Sequence, residues 1–276
     1  MVATPLGNLR DVTLRALDIL GTADVVAAED TRTTARLLGH YGIGTRTLAL
    51  HQHNEAARAA SIVALLAAGK SVALVTDAGT PAVSDPGARL VRAVRDAGHR
   101  VVPVPGPSAV IAAISAAGLA ATTFVFAGFL PQQAKARREA LAVLAGLPAA
   151  IVLYEAPHRV RATVDDLAAQ LPGDRTLVVA RELTKTFETV AAVPLADAPA
   201  WFAADPNRER GEFVLVVDAA PAGEAATALA PEHERWLVAL LAELPPARAA
   251  RVVAGVTGVP RAAVYARALA LRPESA

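Results

Sequence analysis

Val72-Ala-Leu-Val-Thr-Asp-Ala-Gly-Thr-Pro-Ala-Val-Ser-Asp-Pro-Gly87 begins as a short apolar run and breaks into a loop of Gly, Pro, Ser and Asp. Such a run bounded by turn residues predicts a buried strand, Val72–Thr76, with a stiff polar loop at its carboxyl end. The same grammar recurs on either side. Val2–Thr4, Val25–Ala28, Thr47–Leu50 and Val101–Val104 are further strand candidates, with amphipathic helical stretches between them. Leu14, Leu17 and Leu20 repeat at helical spacing before Gly21, a candidate C-terminal cap. Asn54 can cap a helix carrying Ile62, Val63, Leu65 and Leu66 that ends at Gly69. Alternating strands and helices predict an α/β fold.

A second α/β unit starts near Ala121, with strands Phe124–Ala127, Ile151–Tyr154, Thr176–Ala180, Glu188–Ala192 and Phe213–Val217. Val160, Val164, Leu167 and Leu171 share one face of a helix that Pro172 stops. Residues 219–231 are rich in Pro, Ala and Gly and predict a linker. Beyond it, Trp236, Leu237, Leu240, Leu241 and Leu244 form one apolar stripe. Ala247–Leu271 then reads as helix, Gly-containing turn and helix, with Pro260 starting the last. The expected domains are 1–120, 121–218 and a helix-turn-helix-like unit at 232–276.

Composition narrows the function classes. The 276 residues contain no cysteine, which excludes disulfide scaffolds, thiolate metal sites and cysteine nucleophiles. Charged residues make up 19% and hydrophobic ones 54%, the reverse of a disordered chain. A formal charge of +1 names no partner, and the predominance of arginine over lysine reads as codon usage. Val110–Leu130 is long enough to span a bilayer. Gly118, Thr122 and Thr123 interrupt it, however, so a buried helix (Ser108–Ala117) and a buried strand (Phe124–Ala127) are expected instead. The first residues show no basic segment followed by an apolar run, so a cytoplasmic protein without a membrane anchor is expected.

The common nucleotide and hydrolase signatures are missing. There is no G-x-x-x-x-G-K-[ST] and no G-x-S-x-G, and Gly42-Ile-Gly44 lacks the third glycine of a dinucleotide fingerprint. His51 and His53 share a strand face near Glu55, but polar residues emerging at a strand end account for them more simply, and no metal is expected. What remains is a set of loops directly after strands: Thr4–Asn8, Ala28–Arg32, Thr76–Gly87 and Pro103–Ser108. Strand carboxyl ends are where open α/β sheets hold ligands. Gly79, Gly87 and Gly106 let backbone approach a ligand, and the prolines stiffen the loops. The second unit adds Tyr154–Arg159 and Ala180–Lys185, bringing Glu155, His158, Arg159, Arg181, Glu182 and Lys185 to two strand ends. Each could be a solvated charge or a salt-bridge partner; jointly they suggest a cleft between two units.

At these loops the sequence resembles the ribosomal RNA small subunit methyltransferase I family, of the tetrapyrrole-methylase fold class. The matching stretches are VATPLGNLRDVTLRAL, AAEDTRTTARLL, LHQHNE, ALVTDAGTPAVSDPGARLV, VPGPSAV, FAGFLP, YEAPHR, ARELTKTFE and GEFVLVV, from Val2 to about Val217. The C-terminal helical unit resembles members that carry that extension. The resemblance implies two α/β domains with S-adenosyl-L-methionine folded in the cleft between them, a homodimer, and 2′-O-methylation of a cytidine in the decoding centre of 16S rRNA within the 30S subunit. Carried over by position, cofactor contacts fall to Pro5, Asp77, Ala78, Gly79, Thr80, Val83, Ser108, Ala109, Tyr154, Glu155 and Ala192. Met1 falls within the first strand, where family members carry several earlier residues, and Ala192 stands where a glycine is common.

Methyl transfer from a sulfonium is an in-line displacement governed by positioning. A ribose hydroxyl is a weak nucleophile, so a base or an alkoxide-stabilising cation would help. The candidates are Glu29, Asp30, Arg32, His53, Glu155, His158, Arg159 and Lys185, with the base unassigned among them. RNA contact would fall to arginine, because aromatics are only 4% and offer few stacking platforms. Two other readings are a methyltransferase of the same fold acting on a tetrapyrrole or protein side chain, and a non-enzymatic RNA binder using the C-terminal unit.

Overall fold

A computed structural model describes residues 1–51, 54–219, 229 and 231–271. The first unit is built on a parallel sheet in the order β2-β1-β3, formed by β1 (Val25–Ala28), β2 (Thr47–Ala49) and β3 (Val72–Val75). The helices α1 (Leu14–Thr22), α2 (Thr31–His40), α3 (Glu55–Ala67) and α4 (Ala88–Asp96) cover it. Alternation along the strands explains the two layers. Val26, Ala28, Ala73 and Val75 pack toward Leu20, Leu37 and Leu38 of α1 and α2. Ala27 and Leu74 face Ile62, Leu90 and Val94 of α3 and α4.

The strands expected at Val2–Thr4 and Val101–Val104 survive only as isolated bridges. Val2 pairs with Val104, and Thr4 with Gly79. The Val2 amide donates to the Leu74 carbonyl at 2.8 Å, and that of Val104 to the Met1 carbonyl at 2.8 Å. The first segment therefore lies beside β3 and the second beside the first, but Pro5, Pro103 and Pro105 lack the amide that would extend the ladders.

The second unit is a mixed sheet in the order β4-β5-β8-β6-β7, from β4 (Phe124–Phe129), β5 (Ala150–Glu155), β6 (Thr176–Arg181), β7 (Thr189–Pro194) and β8 (Phe213–Val217). β4 runs parallel to β5; the other pairings are antiparallel. One face packs on α6 (Ala134–Ala145), α7 (Val160–Gln170) and α8 (Ala198–Ala203), through Leu141, Val164, Leu167 and Phe202. The other face, Val152, Val178, Ala180, Val214 and Val216, receives Val110 and Ala113 of α5 (Ala109–Ala117). So α5, which precedes residue 121, crosses to the second sheet.

Several expectations need correction. α1 continues through Gly21 to Thr22 and is capped by Ala23, so Gly21 ends nothing. Asn54 occupies the N-cap of α3 without capping it through its side chain; its Oδ1 accepts from the His51 amide instead, at 2.9 Å. α5 and β4 replace the apolar stretch as expected, and no helix among the described residues is long and apolar enough to cross a membrane. Neither element is fully buried, because α5 covers only one face of the sheet and β4 is an edge strand. Ile111, Phe124 and Phe129 are all exposed.

At the C-terminus α9 (Pro231–Glu243), α10 (Pro246–Thr257) and α11 (Arg261–Ala270) pack on one another. Leu237, Ala249, Ala250, Val253, Val264 and Ala268 form their core. α9 starts at Pro231, inside the expected linker, and Leu229 already packs on that core. The linker residues 220–228 and 230 lie outside the described residues. Trp236 leaves the apolar stripe: it is 41% exposed, whereas Leu237 is fully buried. Pro260 is the N-cap of α11 rather than its first residue.

Candidate functional site

A cavity of about 450 Å³ lies where the carboxyl ends of β1 and β3 meet the ends of β5, β6 and β8. That is within the ordinary range for a small-molecule site, about 300–1,000 Å³. Its wall from the first unit is the loop after β3. Gly79 (φ +78°), Ala82 (+69°), Ser84 (+62°) and Gly87 (+131°) are all left-handed there. Two of them carry side chains, a strained arrangement that persists only when surroundings fix it.

The fixing contacts are visible. Gly79 exchanges both backbone hydrogen bonds with Thr4, at 2.9 and 3.0 Å, so its polar groups are spent on the N-terminal segment. What Gly79 gives a ligand is room: a Cβ there would have only Leu6 Cδ2 (3.4 Å) and the Pro107 carbonyl (3.8 Å) within 4 Å. The Thr80 hydroxyl donates to the Pro107 carbonyl at 2.9 Å and ties this loop to the Pro103–Ser108 loop. Buried Glu55 caps α4 behind them, Oε1 accepting from the Gly87 and Leu90 amides at 3.1 and 2.9 Å. Glu55 is thereby committed to the fold. Among the described residues no group of three or more His, Asp or Glu is placed to hold a metal ion.

Three carboxylates line the same wall. Burial pushes Glu29 above the usual carboxylate range, with Asp85, Asp77 and Asp30 adding repulsion. Burial likewise raises Asp77 and Asp85. Asp77 Oδ1 accepts from the Asp30 amide at 3.0 Å, and the Asp77 amide reaches Glu29 Oε2 at 3.5 Å. Asp30 behaves oppositely. Its hydrogen bond to the Arg32 guanidinium, reinforced by the Arg32 amide, holds it down at about 2. This pair caps α2 and does not line the cavity.

The second unit's charged residues divide in two. Glu155 lines the cavity, but its carboxylate accepts from the Thr163 hydroxyl (2.6 Å) and the Ala156 amide (2.8 Å) and pairs with Arg159 at 3.3 Å. Arg159 also donates to the Leu130 and Pro131 carbonyls, and Arg181 to those of Asn207, Arg210 and Phe187. These arginines staple loops, and His158 is exposed outside the cavity. Lys185 does line it, held between Glu182 (2.9 Å) and Glu212 (2.8 Å). Burial works against its charge, yet those two carboxylates raise it above the ordinary lysine value. Tyr154 lines the floor, its hydroxyl raised by burial and its ring edge-on to Phe126 at 4.9 Å.

Of the residues expected at a cofactor, Asp77, Ala78, Gly79, Thr80, Val83, Ser108, Ala109, Tyr154 and Glu155 line the cavity. Pro5 does not, although its neighbour Leu6 does. Ala192 is exposed on edge strand β7, on the same sheet face as Ala180, but is not itself among the lining residues. Among the catalytic candidates Glu29, Glu155 and Lys185 line it, whereas Asp30, Arg32, His158 and Arg159 do not; His53 lies outside the described residues. Sequence reasoning missed Asp85, Ser84, Phe129, Leu183 and Glu212. Asp85 and Ser84 sit in a loop already singled out. Glu212 directly precedes the run Phe213–Val217, and a charge at the start of a buried strand was the available signal.

Residues 1–199 match the tetrapyrrole (corrin/porphyrin) methylases and residues 227–272 the RsmI C-terminal HTH domain. A ribosomal RNA small subunit methyltransferase I of Vibrio cholerae is 48% identical over 266 residues, covering 96% of this chain and 92% of its own. That of Xylella fastidiosa is 50% identical over 266 residues, covering 96% of each. The chain belongs to the ribosomal RNA small subunit methyltransferase I family.

Solved structures agree on the fold of this family member. A cobalt precorrin-4 methyltransferase, CbiF, aligns with TM-score 0.58 at 21% identity, over 78% of this chain and 92% of its own. A uroporphyrin-III-C-methyltransferase from Thermus thermophilus gives 0.56 at 23%, over 79% and 92%. At such identities they carry the fold alone. Tetrapyrrole methylases use S-adenosylmethionine, and the cavity suits it. Leu6, Val83, Phe129 and Leu183 offer apolar surface to an adenine, the three carboxylates answer a sulfonium charge, and Gly79 leaves the space that any side chain would fill.

Proposed function

We propose that this methyltransferase 2′-O-methylates a cytidine of the decoding centre of 16S rRNA, within the 30S subunit, as a cytoplasmic homodimer. The observation that carries the reading is the cavity between the two sheets, joined to family membership along nearly the whole chain. S-adenosylmethionine, when bound, supplies a methyl group activated on sulfur. The chain's own residues do the rest. Asp77, Ala78, Thr80, Val83, Ser108, Ala109 and Tyr154 hold the cofactor, and Gly79 gives it room. Glu29, at the end of central strand β1 and lining the cavity, accepts the hydroxyl proton, and burial makes it a stronger base than an ordinary carboxylate. Lys185 faces the same space and offers positive charge to the developing alkoxide. Asp30 and Arg32, both at the head of α2, orient the acceptor RNA rather than the cofactor.

We also divide the chain into units at 1–120 and 121–218, with α5 reaching across, and a C-terminal unit after the linker. Dimerisation is supported by apolar surface along edge strand β7 and its approaches, where Phe187, Val190 and Ile111 are exposed. Mass mapping of 16S rRNA from a strain lacking this gene tests the function. A cytidine methyl lost on deletion and restored by the intact gene is expected; an unaltered methylation map overturns the reading. Gly79→Val should abolish cofactor binding in calorimetry, since φ +78° resists a β-branched residue and its methyls enter the cavity.

A further inference from the structure

α4 carries a row of arginines that no ion pair balances among the described residues. Leu90 and Val94 anchor the helix to the core, and Arg89, Arg92 and Arg95 stand exposed on the opposite side. Arg100 is exposed just past its end, and Arg58 is exposed on α3, which packs beside it. Among the described residues none of these five arginines forms an ion pair. Asp96 is the only carboxylate on α4. Several helices mix their signs: α1 carries Asp18 with Arg15, α7 carries Asp165 and Asp166 with Arg161, and α6 places Lys135 four residues before Glu139, while α2, α10 and α11 carry two arginines each and no carboxylate. Uncompensated like charges at helical spacing repel one another, so their retention on one face points outward, to a polyanion.

Position says which polyanion. The N-cap of α4 is Gly87, the last residue of the loop that walls the cavity, and the helix runs from there away from the site. Its arginine row, Arg89 to Arg95, spans six residue steps, about 9 Å at 1.5 Å per residue. It starts four residues after Asp85, the last lining residue of that loop.

We propose that Arg89, Arg92 and Arg95, flanked by Arg58 and Arg100, bind the phosphodiester backbone of the RNA leading to the methylated nucleotide. This rests on the reading of the chain as an rRNA methyltransferase. The contacts are to phosphates and carry no sequence information; they set register, and the cavity selects the nucleotide.

The test uses the full-length protein and 30S subunits lacking the modification. Arg89→Glu/Arg92→Glu/Arg95→Glu should keep its cofactor affinity and, at saturating subunits, its kcat within twofold. Its KM for subunits should rise at least tenfold. Because each phosphate contact releases counterions, the slope of log affinity against log salt should flatten by about two to three units. The triple lysine variant should keep the wild-type slope, since charge is what the backbone reads. If charge reversal impairs folding, Arg92→Glu alone, opposite the core, should show a third of the change in slope. An unchanged KM and slope overturn the proposal, as does a raised KM with an unchanged slope, which would place a protein contact there. If the wild-type enzyme itself fails to methylate subunits, it is the rRNA reading that falls.

Discussion

The Asn8 amide donates to the Thr184 hydroxyl at 3.1 Å, tying the loop after the N-terminal segment to the loop between β6 and β7. Beside it, Gly7 lies so close to the Lys185 stem that a Cβ would stand 2.4 Å from Lys185 Cγ. Across the cavity, a Cβ on Gly128 of β4 would stand 2.8 Å from Ser84 Oγ. The two units are therefore clasped at both rims of the site, and these contacts set the spacing of its walls.

Thr184→Val tests the clasp. It keeps the shape but loses the hydroxyl, and the Asn8 amide, exposed to water, finds a replacement. Stability should fall by no more than about 1 kcal/mol. Cofactor affinity should fall severalfold, because the cleft walls are less fixed before binding. Thr184→Ser should restore it. Equal affinity in all three proteins would remove the clasp from the binding account.

The site carboxylates should cost stability. A carboxyl whose folded pKa is raised binds its proton more tightly in the folded state, so the penalty appears as pH rises above the unfolded value and is complete above the folded one. Glu29→Gln and Asp85→Asn should therefore raise Tm near pH 7 and lose that advantage near pH 3. Glu29→Gln should also cut methyl transfer to 30S subunits at least tenfold, about 1.4 kcal/mol of transition-state stabilisation. Asp24 works with the opposite sign. Held down at about 2 by the Ser71 amide and Lys70, it contributes stability above its unfolded pKa that is lost as pH falls toward 2. Thermal melts of these variants and of Asp24→Asn across pH check both signs.

The alternation of apolar runs and polar loops made the strands of both sheets legible, as well as the loops that wall the cavity. Tertiary pairing was not legible. Whether Val2–Thr4 forms a strand or a single bridge depends on prolines in its neighbours, and whether β4 is central or at an edge depends on sheet order. The site shows the same limit. Glu155 and Arg159 look like cleft chemistry in sequence, yet Thr163 and two backbone carbonyls claim them. Asp85 looks like turn punctuation, yet the fold turns it into the cavity.

Gly211 separates conformational strain from steric conflict. It has φ +92°, and a Cβ would lie 2.4 to 2.6 Å from the Glu182 side chain, which bridges the Glu212 amide and Lys185. Gly211→Ala must displace that carboxylate and leave Lys185 held at the cavity rim by Glu212 alone. Gly42 has φ +66° and nothing within 4 Å of an added methyl, so Gly42→Ala meets strain alone, about 1 kcal/mol. Gly211→Ala should cost at least about 1 kcal/mol more and lower kcat as well. Equal losses in denaturant melts would show that Glu182 relaxes freely.

The C-terminal unit should serve docking and not chemistry. Its core closes on itself around Leu237, Val253 and Val264, and none of its described residues lines the cavity. Arg248, Arg251 and Arg261 are exposed around it, while Arg267 is held by Glu234, which removes one of the four arginines from free phosphate contact. Deleting residues 220–276 should leave cofactor affinity intact, raise KM for 30S subunits and reduce the salt dependence of RNA binding. Combined with the α4 charge reversal, the two losses in binding free energy should add, because the surfaces share no residue. The rival account is that exposed Trp236 and Val238 buttress the dimer. It predicts that the truncated protein sediments as a monomer with an unchanged salt slope, and that Trp236→Ala alone dissociates the full-length enzyme. A truncated dimer with a weakened slope assigns the unit to RNA.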